Sequence, residues 1–355
     1  MSAVRAGKEQ QEMDSADTRL VWLDQLRAVA MFFVILGHFA ISRTGLTLIY
    51  AFHMPLFFMV SGMTFHPGRY ETIRACAVDK AKKLLIPYFL LSLAMIPLWY
   101  LNWKVLKSSP TGLVGLLKGI AVSNEAVFSS PTNATWFLPC LFLVSVLFFA
   151  FSKWTKGSRR GLALAVACSG VFGALLSVLL RVDVPWHVPT VFTAVVFYYI
   201  GYLFMQHRET VVAWLDERPR SWIPVVVVLA VAGACLALVN GKVSMHANHY
   251  NVVPLFYVSA LALGFAIVLA VMLLPKVKPL AYVGQNTLIY IAIHAPILRT
   301  IQNFSPASGH IAAAYPVPTA AAIFVVVIPI SMLVNRLLPF LVAKRYGRGW
   351  GWTRA

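Results

Sequence analysis

The chain has 355 residues, 59% of them hydrophobic and only 12% charged, with a formal net charge of +18. A soluble domain carries about 25% charged residues, so this chain lacks the groups to clothe a soluble surface, and the missing surface must face lipid. Repeated apolar runs long enough to cross a bilayer exclude a soluble protein with one anchor. Basic residues gathered in alternate short loops account for the net charge without a nucleic-acid partner.

The first twenty residues are polar, with Lys8, Glu9, Glu12, Asp14, Asp17 and Arg19. The apolar run that follows is long enough to remain as a spanning helix rather than a cleaved signal. Residues 1–18 are expected to form a cytoplasmic tail, 19–341 a membrane domain and 342–355 a basic cytoplasmic tail. The expected fold class is all-α, a polytopic bundle of about ten helices. The spans are expected near 21–41, 48–64, 84–101, 134–152, 161–180, 189–206, 221–240, 250–274, 284–301 and 318–338. On this count one side receives only Arg43, Lys104, Lys107, Lys118, Arg181, Lys242 and Arg299 from the loops, and the other receives the remaining loop cations. That imbalance predicts both termini in the cytoplasm.

Two connections are longer than turns. The stretch 65–83 is expected inside and carries Arg69, Arg74, Lys80, Lys82 and Lys83. The stretch 102–133 is expected outside, carries Glu125, and includes TGLVGLLKGI, which is apolar but too short to span. Cys76, Cys140, Cys168 and Cys235 have no metal-like spacing and read as small core residues, so no metal is expected. Trp22, Trp99, Tyr100, Trp136 and Trp222 lie near segment ends, where aromatic residues anchor helices at the membrane interface.

The first two spans hold the chemistry. In WLDQLRAVAMFFVILGHF, Asp24 and Arg27 are three residues apart and can interact on neighbouring helix faces. Arg27 and His38 point in nearly the same direction but stand about 16 Å apart along the axis. An arginine inside a spanning segment must pair, snorkel or face water. One reading is an ion pair that only locks the bundle; the other is a polar stripe from Arg27 to His38 along a tunnel. The second span supplies YAFHMPLFFMVSGMTF, where His53 enters the membrane at a depth similar to His38. An imidazole held neutral by apolar surroundings can accept a hydroxyl proton, which makes His38 and His53 candidates for base and base support.

These residues resemble the membrane acyltransferase superfamily that modifies bacterial surface sugars, and within it the fucose 4-O-acetylases. The resemblance begins with Trp22, Asp24, Arg27 and His38 and continues through Phe52, His53, Pro55, Phe57, Phe58, Ser61 and Gly62. It includes Lys82, Lys83, Leu84, Pro87 and Tyr88, then WFLPCLF from Trp136, Gly201 in YYIGYLF, and GQNTLIYIAIHAP from Gly284. Ala28, Lys82, Lys83 and Thr287 depart mildly from the usual pattern.

The resemblance implies an O-acetyltransferase of the bacterial inner membrane, with acetyl-coenzyme A as cosubstrate and no tightly bound cofactor. The implied acceptor is a saccharide, such as a surface glycan, a lipid-linked sugar or an exopolysaccharide precursor. It implies catalytic roles for His38 and Arg27, with Asp24 and His53 as support. Direct transfer and an acyl-His38 intermediate are both compatible with these residues. Arg74, Lys82 and Lys83 are expected on the donor phosphates, and Asn286, Thr287 and His294 on the donor path, although Asn286 and Thr287 also suit a helix cap. Glu125 and Trp136 are expected on the acceptor side. The alternative from another class is a multi-pass transporter of a sugar or anionic metabolite, in which the intramembrane ionisable residues would form the transport path.

Overall fold

The computed structural model describes residues 20–39, 41–101, 112–123, 133–179, 184–217 and 222–343. The expected tail 1–18, most of 342–355, and Glu125 lie outside the described residues. The described residues are helical throughout their ordered elements, with one isolated bridge between Ser244 and His249.

In chain order the helices are α1 (Val21–Gly37), α2 (Arg43–Met63), α3 (Ile73–Tyr100), α4 (Leu113–Val122), α5 (Phe137–Trp154), α6 (Arg159–Leu179) and α7 (Val188–Asp216). There follow α8 (Trp222–Asn240), α9 (Val253–Met272), α10 (Lys278–Gln285), α11 (Thr287–Phe304), α12 (Pro306–Ala314) and α13 (Pro316–Leu337). Among the described residues, eight helices are long and apolar enough to cross a membrane. Two further expected spans are α1, which has 17 residues, and α11, which is interrupted by His294, Arg299, Gln302 and Asn303. The protein is a multi-pass, all-α membrane protein.

Helices α2 and α5 form the middle of the bundle, with 72% of each apolar window buried, whereas α6, α8 and α13 bury only 28%, 17% and 22% and so present their sides to lipid. Leu164 and Leu179 of α6 and Ile223 and Val228 of α8 are accordingly exposed. Helix α2 begins with Ser42, whose hydroxyl accepts from the Gly45 amide and satisfies one of the unpaired donors of the first turn. Within it Pro55 removes one bond from the helix ladder.

Several expectations are corrected. The stretch 65–83 is mostly helix rather than loop: after the turn Pro67–Arg69, Thr72 caps α3 by accepting from Ala75, so Arg74, Lys80, Lys82 and Lys83 all stand on α3. A π-helical turn at Ala81–Leu85 carries Lys82 and Lys83. Their aliphatic stems let basic residues extend a spanning helix past the apolar zone. Trp99, Trp136 and Trp222 are buried among other helices and do not anchor an interface, while Tyr100 is exposed. Cys76 and Cys140 are buried as expected, but Cys168 and Cys235 are exposed on the lipid-facing helices α6 and α8.

Close backbone contact fixes the centre. A methyl at Gly62 of α2 would strike the Tyr198 carbonyl of α7, and one at Gly201 of α7 would strike the Met59 carbonyl of α2. Small residues that let backbones touch are the means by which helices associate where lipid supplies no hydrophobic drive. Gly201→Ala should therefore force α2 and α7 apart at a cost of about 1–3 kcal/mol. A lowered melting temperature in detergent checks this, and an unchanged one would show that the crossing is loose.

Candidate active site at the histidine end of the bundle

Helix α1 joins two polar regions. Near its start, Arg27 Nη1 donates to Asp24 Oδ1 at 3.0 Å, forming the ion pair that their spacing allows. The Asp24 side chain is 3% exposed and that of Arg27 25%, so the acid is the desolvated partner. Gln285 Nε2 also donates to Asp24 Oδ2 at 3.2 Å, and Gly284 lies so close that a Cβ would strike the Asp24 carbonyl. Helix α10 is thereby held against α1.

Asn286 sits at the break between α10 and α11. It makes no side-chain cap bond to α11: its Nδ2 donates to the Tyr282 carbonyl at 2.8 Å, and its Oδ1 accepts from Asn335 Nδ2 at 2.7 Å. The helix-cap reading of Asn286 is thus replaced by a link from α10 to α13. Thr287 opens α11 beside it. At the same end, Lys83 pairs with Asp79 at 2.8 Å, and Asp79 also accepts from the Tyr70 hydroxyl. Burial, reinforced by the hydrogen bond to Asp79, raises the Tyr70 hydroxyl above its ordinary titration range. Lys80 lies over the Phe65 ring at 5.0 Å, whereas Arg74 and Lys82 are exposed.

The opposite end gathers histidines. His38 caps the C-terminus of α1 and is half-buried. Its ring centroid lies 5.0 Å from that of His294, which is 0% exposed. His294, expected on the donor path, is therefore brought beside the expected base. His53 and His246 are close enough to His38 to interact electrostatically with it. The His53 Nδ1 bonds the Ile49 carbonyl at 2.7 Å, and its ring meets Tyr50 edge-on at 5.0 Å. A carbonyl only accepts, so Nδ1 carries the proton and the neutral ring offers Nε2 as an acceptor. Neutral His53 has no N–H left for an oxyanion.

A loop of residues 241–252 covers this end. Asn240 shapes it: Nδ2 donates to the Tyr250 carbonyl at 3.1 Å, and Oδ1 accepts from the Val252 amide at 2.9 Å. Asn251 donates back to the carbonyls of Asn240 and Lys242. Asn248 and Asn251 take positive φ, a conformation that asparagine tolerates. Thr190 donates to the Met245 carbonyl at 2.7 Å, and His187 Nδ1 donates to the His246 carbonyl at 2.9 Å, which pins the loop to the start of α7. Lys242 lies over the Tyr50 ring at 4.7 Å. Trp136 packs its ring 4.9 Å from His187 and 6.3 Å from His246, so this expected acceptor residue does face the histidine cluster. Among the described residues no three His, Cys, Asp or Glu side chains converge to hold a metal ion.

Sequence reasoning missed His187, Lys242 and His246. For Lys242 and His246 the available signal was the polar run GKVSMHANHYN between two apolar spans, too rich in histidine and asparagine for an idle turn.

A family model described as an acyltransferase domain matches residues 20–336. No curated protein matches the chain. No solved structure matches it either.

The loop geometry has a direct test. Asn240→Ala removes both side-chain bonds that close the loop, each worth about 1 kcal/mol. Hydrogen–deuterium exchange of the Ser244 and His249 amides should accelerate by roughly thirtyfold while α8 stays protected. Unchanged exchange would mean that the tethers to Thr190 and His187 hold the loop unaided.

Proposed function

Because the chain belongs to the acyltransferase 3 family of membrane acyltransferases, we propose that it moves an acetyl or other short acyl group from acyl-coenzyme A to a sugar hydroxyl. The acceptor is a surface glycan, a lipid-linked sugar or an exopolysaccharide precursor, and the membrane is the bacterial inner membrane. The observation that carries the reading is His38: a half-buried imidazole at a helix end, ringed by histidines beneath a tethered loop. It has the reach and the chemistry of a general base.

In the reaction, one His38 ring nitrogen takes the proton of the acceptor hydroxyl as that oxygen attacks the thioester carbon. The new C–O bond forms, the C–S bond breaks, and His38 returns the proton to the leaving thiolate. Donor and acceptor enter from opposite ends. The end with Arg27, Arg74 and Lys82 suits the donor phosphates and faces the cytoplasm by the positive-inside bias. The histidine end then faces outward, where Trp136 supplies an apolar wall to a sugar ring. The pair Asp24–Arg27 lies along the donor arm. Glu125 remains a candidate for acceptor recognition on the same outer side.

Two outcomes test this reading in membrane vesicles carrying their own glycans, supplied with radiolabelled acetyl-coenzyme A. His38→Ala should lower label transfer by about 100-fold or more while acetyl-coenzyme A still binds; full transfer by this variant would remove His38 as the base. On the donor side, Arg74→Ala and Lys82→Ala should each raise the donor KM several-fold, whereas Lys83→Ala, whose charge is already met by Asp79, should raise it less. Equal effects from all three would place the phosphates elsewhere.

A further inference from the structure

His53 and His294 are built alike. Each stands inside a spanning helix, each Nδ1 bonds the carbonyl four residues earlier, and each is followed two residues later by a proline, Pro55 or Pro296. For His294 the bond is to Tyr290 at 2.6 Å. That bond fixes the tautomer, because the carbonyl can only accept, and it leaves Nε2 with a lone pair. His294 Nε2 is buried and, among the described residues, has no hydrogen-bond partner. An unfilled buried acceptor is costly, so its retention calls for a donor that arrives during function.

The ring packed against it is His38, at 5.0 Å between centroids and 41° between planes. Two imidazoles joined edge to edge by one N–H···N bond of about 2.9 Å have their centres roughly 5 Å apart, so a turn of the His38 ring suffices to close the bond. Catalytic hydrogen bonds commonly tighten only when substrate binds. Among the described residues His38 makes no competing bond to a helix carbonyl like those of His53 and His294.

We propose that His294 is a positioning residue: its Nε2 accepts the N–H of His38, selects the His38 tautomer, and so turns the other His38 nitrogen toward the acceptor hydroxyl. The proton that His38 gains in the reaction leaves it with two N–H groups, one held by His294 and one free to pass to the thiolate. His294 itself changes no protonation state. This assignment rests on the reading of His38 as base, and it moves His294 from the donor path to the acceptor side of the reaction.

Two substitutions separate the ring nitrogens. His294→Gln places an amide oxygen near the Nε2 position and gives up the bond to Tyr290; His294→Asn keeps a donor near Nδ1 and lacks an acceptor near Nε2. With radiolabelled acetyl-coenzyme A and vesicles carrying their own glycans, His294→Asn should lower Vmax about 100-fold with unchanged donor KM, and His294→Gln should stay within about 10-fold of the parent. A purely structural role would make His294→Gln, which loses the Tyr290 bond, the worse variant. That order, equal activities, or a defect confined to the donor KM would each overturn the proposal. His38→Ala in the same assay keeps the two readings apart: if it transfers normally the base assignment fails, and if it is dead while His294→Asn is fully active only the positioning role fails. Should His294→Asn not fold, nitrogen NMR of histidine-labelled parent protein decides. A hydrogen-bond coupling between His38 and His294 with substrate bound supports the dyad, and a mixture of His38 tautomers overturns it.

Discussion

Arg27 lies in the second turn of a helix inside an apolar bundle, and the need to compensate its charge organises one end of the protein. A guanidinium in such surroundings is tolerated only with partners. Asp24 answers it across one helical turn, and because Asp24 is the more deeply buried member it in turn needs further donors. Gln285 supplies one, and Gly284 allows α10 close enough for that contact to be made. The break at Asn286 follows from the same docking: α10 has to lie against α1 before α11 can turn up into the bundle. The Asn286–Asn335 bond then carries the constraint to α13. One ion pair thus fixes the relative placement of four helices.

The histidine end obeys the same rule with neutral groups. Each buried imidazole must place its N–H somewhere, and in a helix the nearest acceptor is the carbonyl one turn back. His53 and His294 both use it. The consequence is chemical as well as structural, since a ring whose N–H is spent on the backbone can only accept through its other nitrogen. His38, at the end of α1 rather than inside a helix, is released from that arrangement. Its position at the C-cap leaves it half-buried, whereas His53 and His294 are buried.

Much of this was legible in the sequence. Apolar run lengths and the placement of lysine and arginine indicated the bundle, and the three-residue spacing of Asp24 and Arg27 anticipated their pair. The Gly62, Gly201 and Gly284 positions stood within the recognisable motifs, and each marks a backbone crossing. What stayed hidden depended on partners remote in the chain. Trp136 looked like an interface anchor because a tryptophan at a segment end has that prior, whereas in the fold it is buried and packs against His187 and His246 from other connections. The basic stretch after Met63 read as a loop because charge argues against a membrane span, yet Thr72 caps a helix there and long basic side chains extend beyond the apolar zone. His294 lay in a stretch whose sequence gave its depth but not its facing.

The two ends are joined by the rigidity of α1. Arg27 and His38 share one helix with no proline or glycine between them until Gly37, so about 16 Å of regular helix fixes their separation. In the proposed reaction, a donor held by its phosphates at the basic end would present its thioester at a constant height set by that separation. On the same proposal acceptor choice falls to the other end, where a loop and helix starts join the mid-helix rings of His53 and His294. The consecutive left-handed residues Trp186 and His187 belong to those walls, and strained conformations of that kind cost about 1–3 kcal/mol each. They are held by Trp186 Nε1 on the Ala121 carbonyl and by His187 on the His246 carbonyl. The same bonds tie α4, the start of α7 and the loop 241–252 into one surface, so in the proposed reaction a change of acceptor preference would arise there while the ion pair and the spacing along α1 stay as they are.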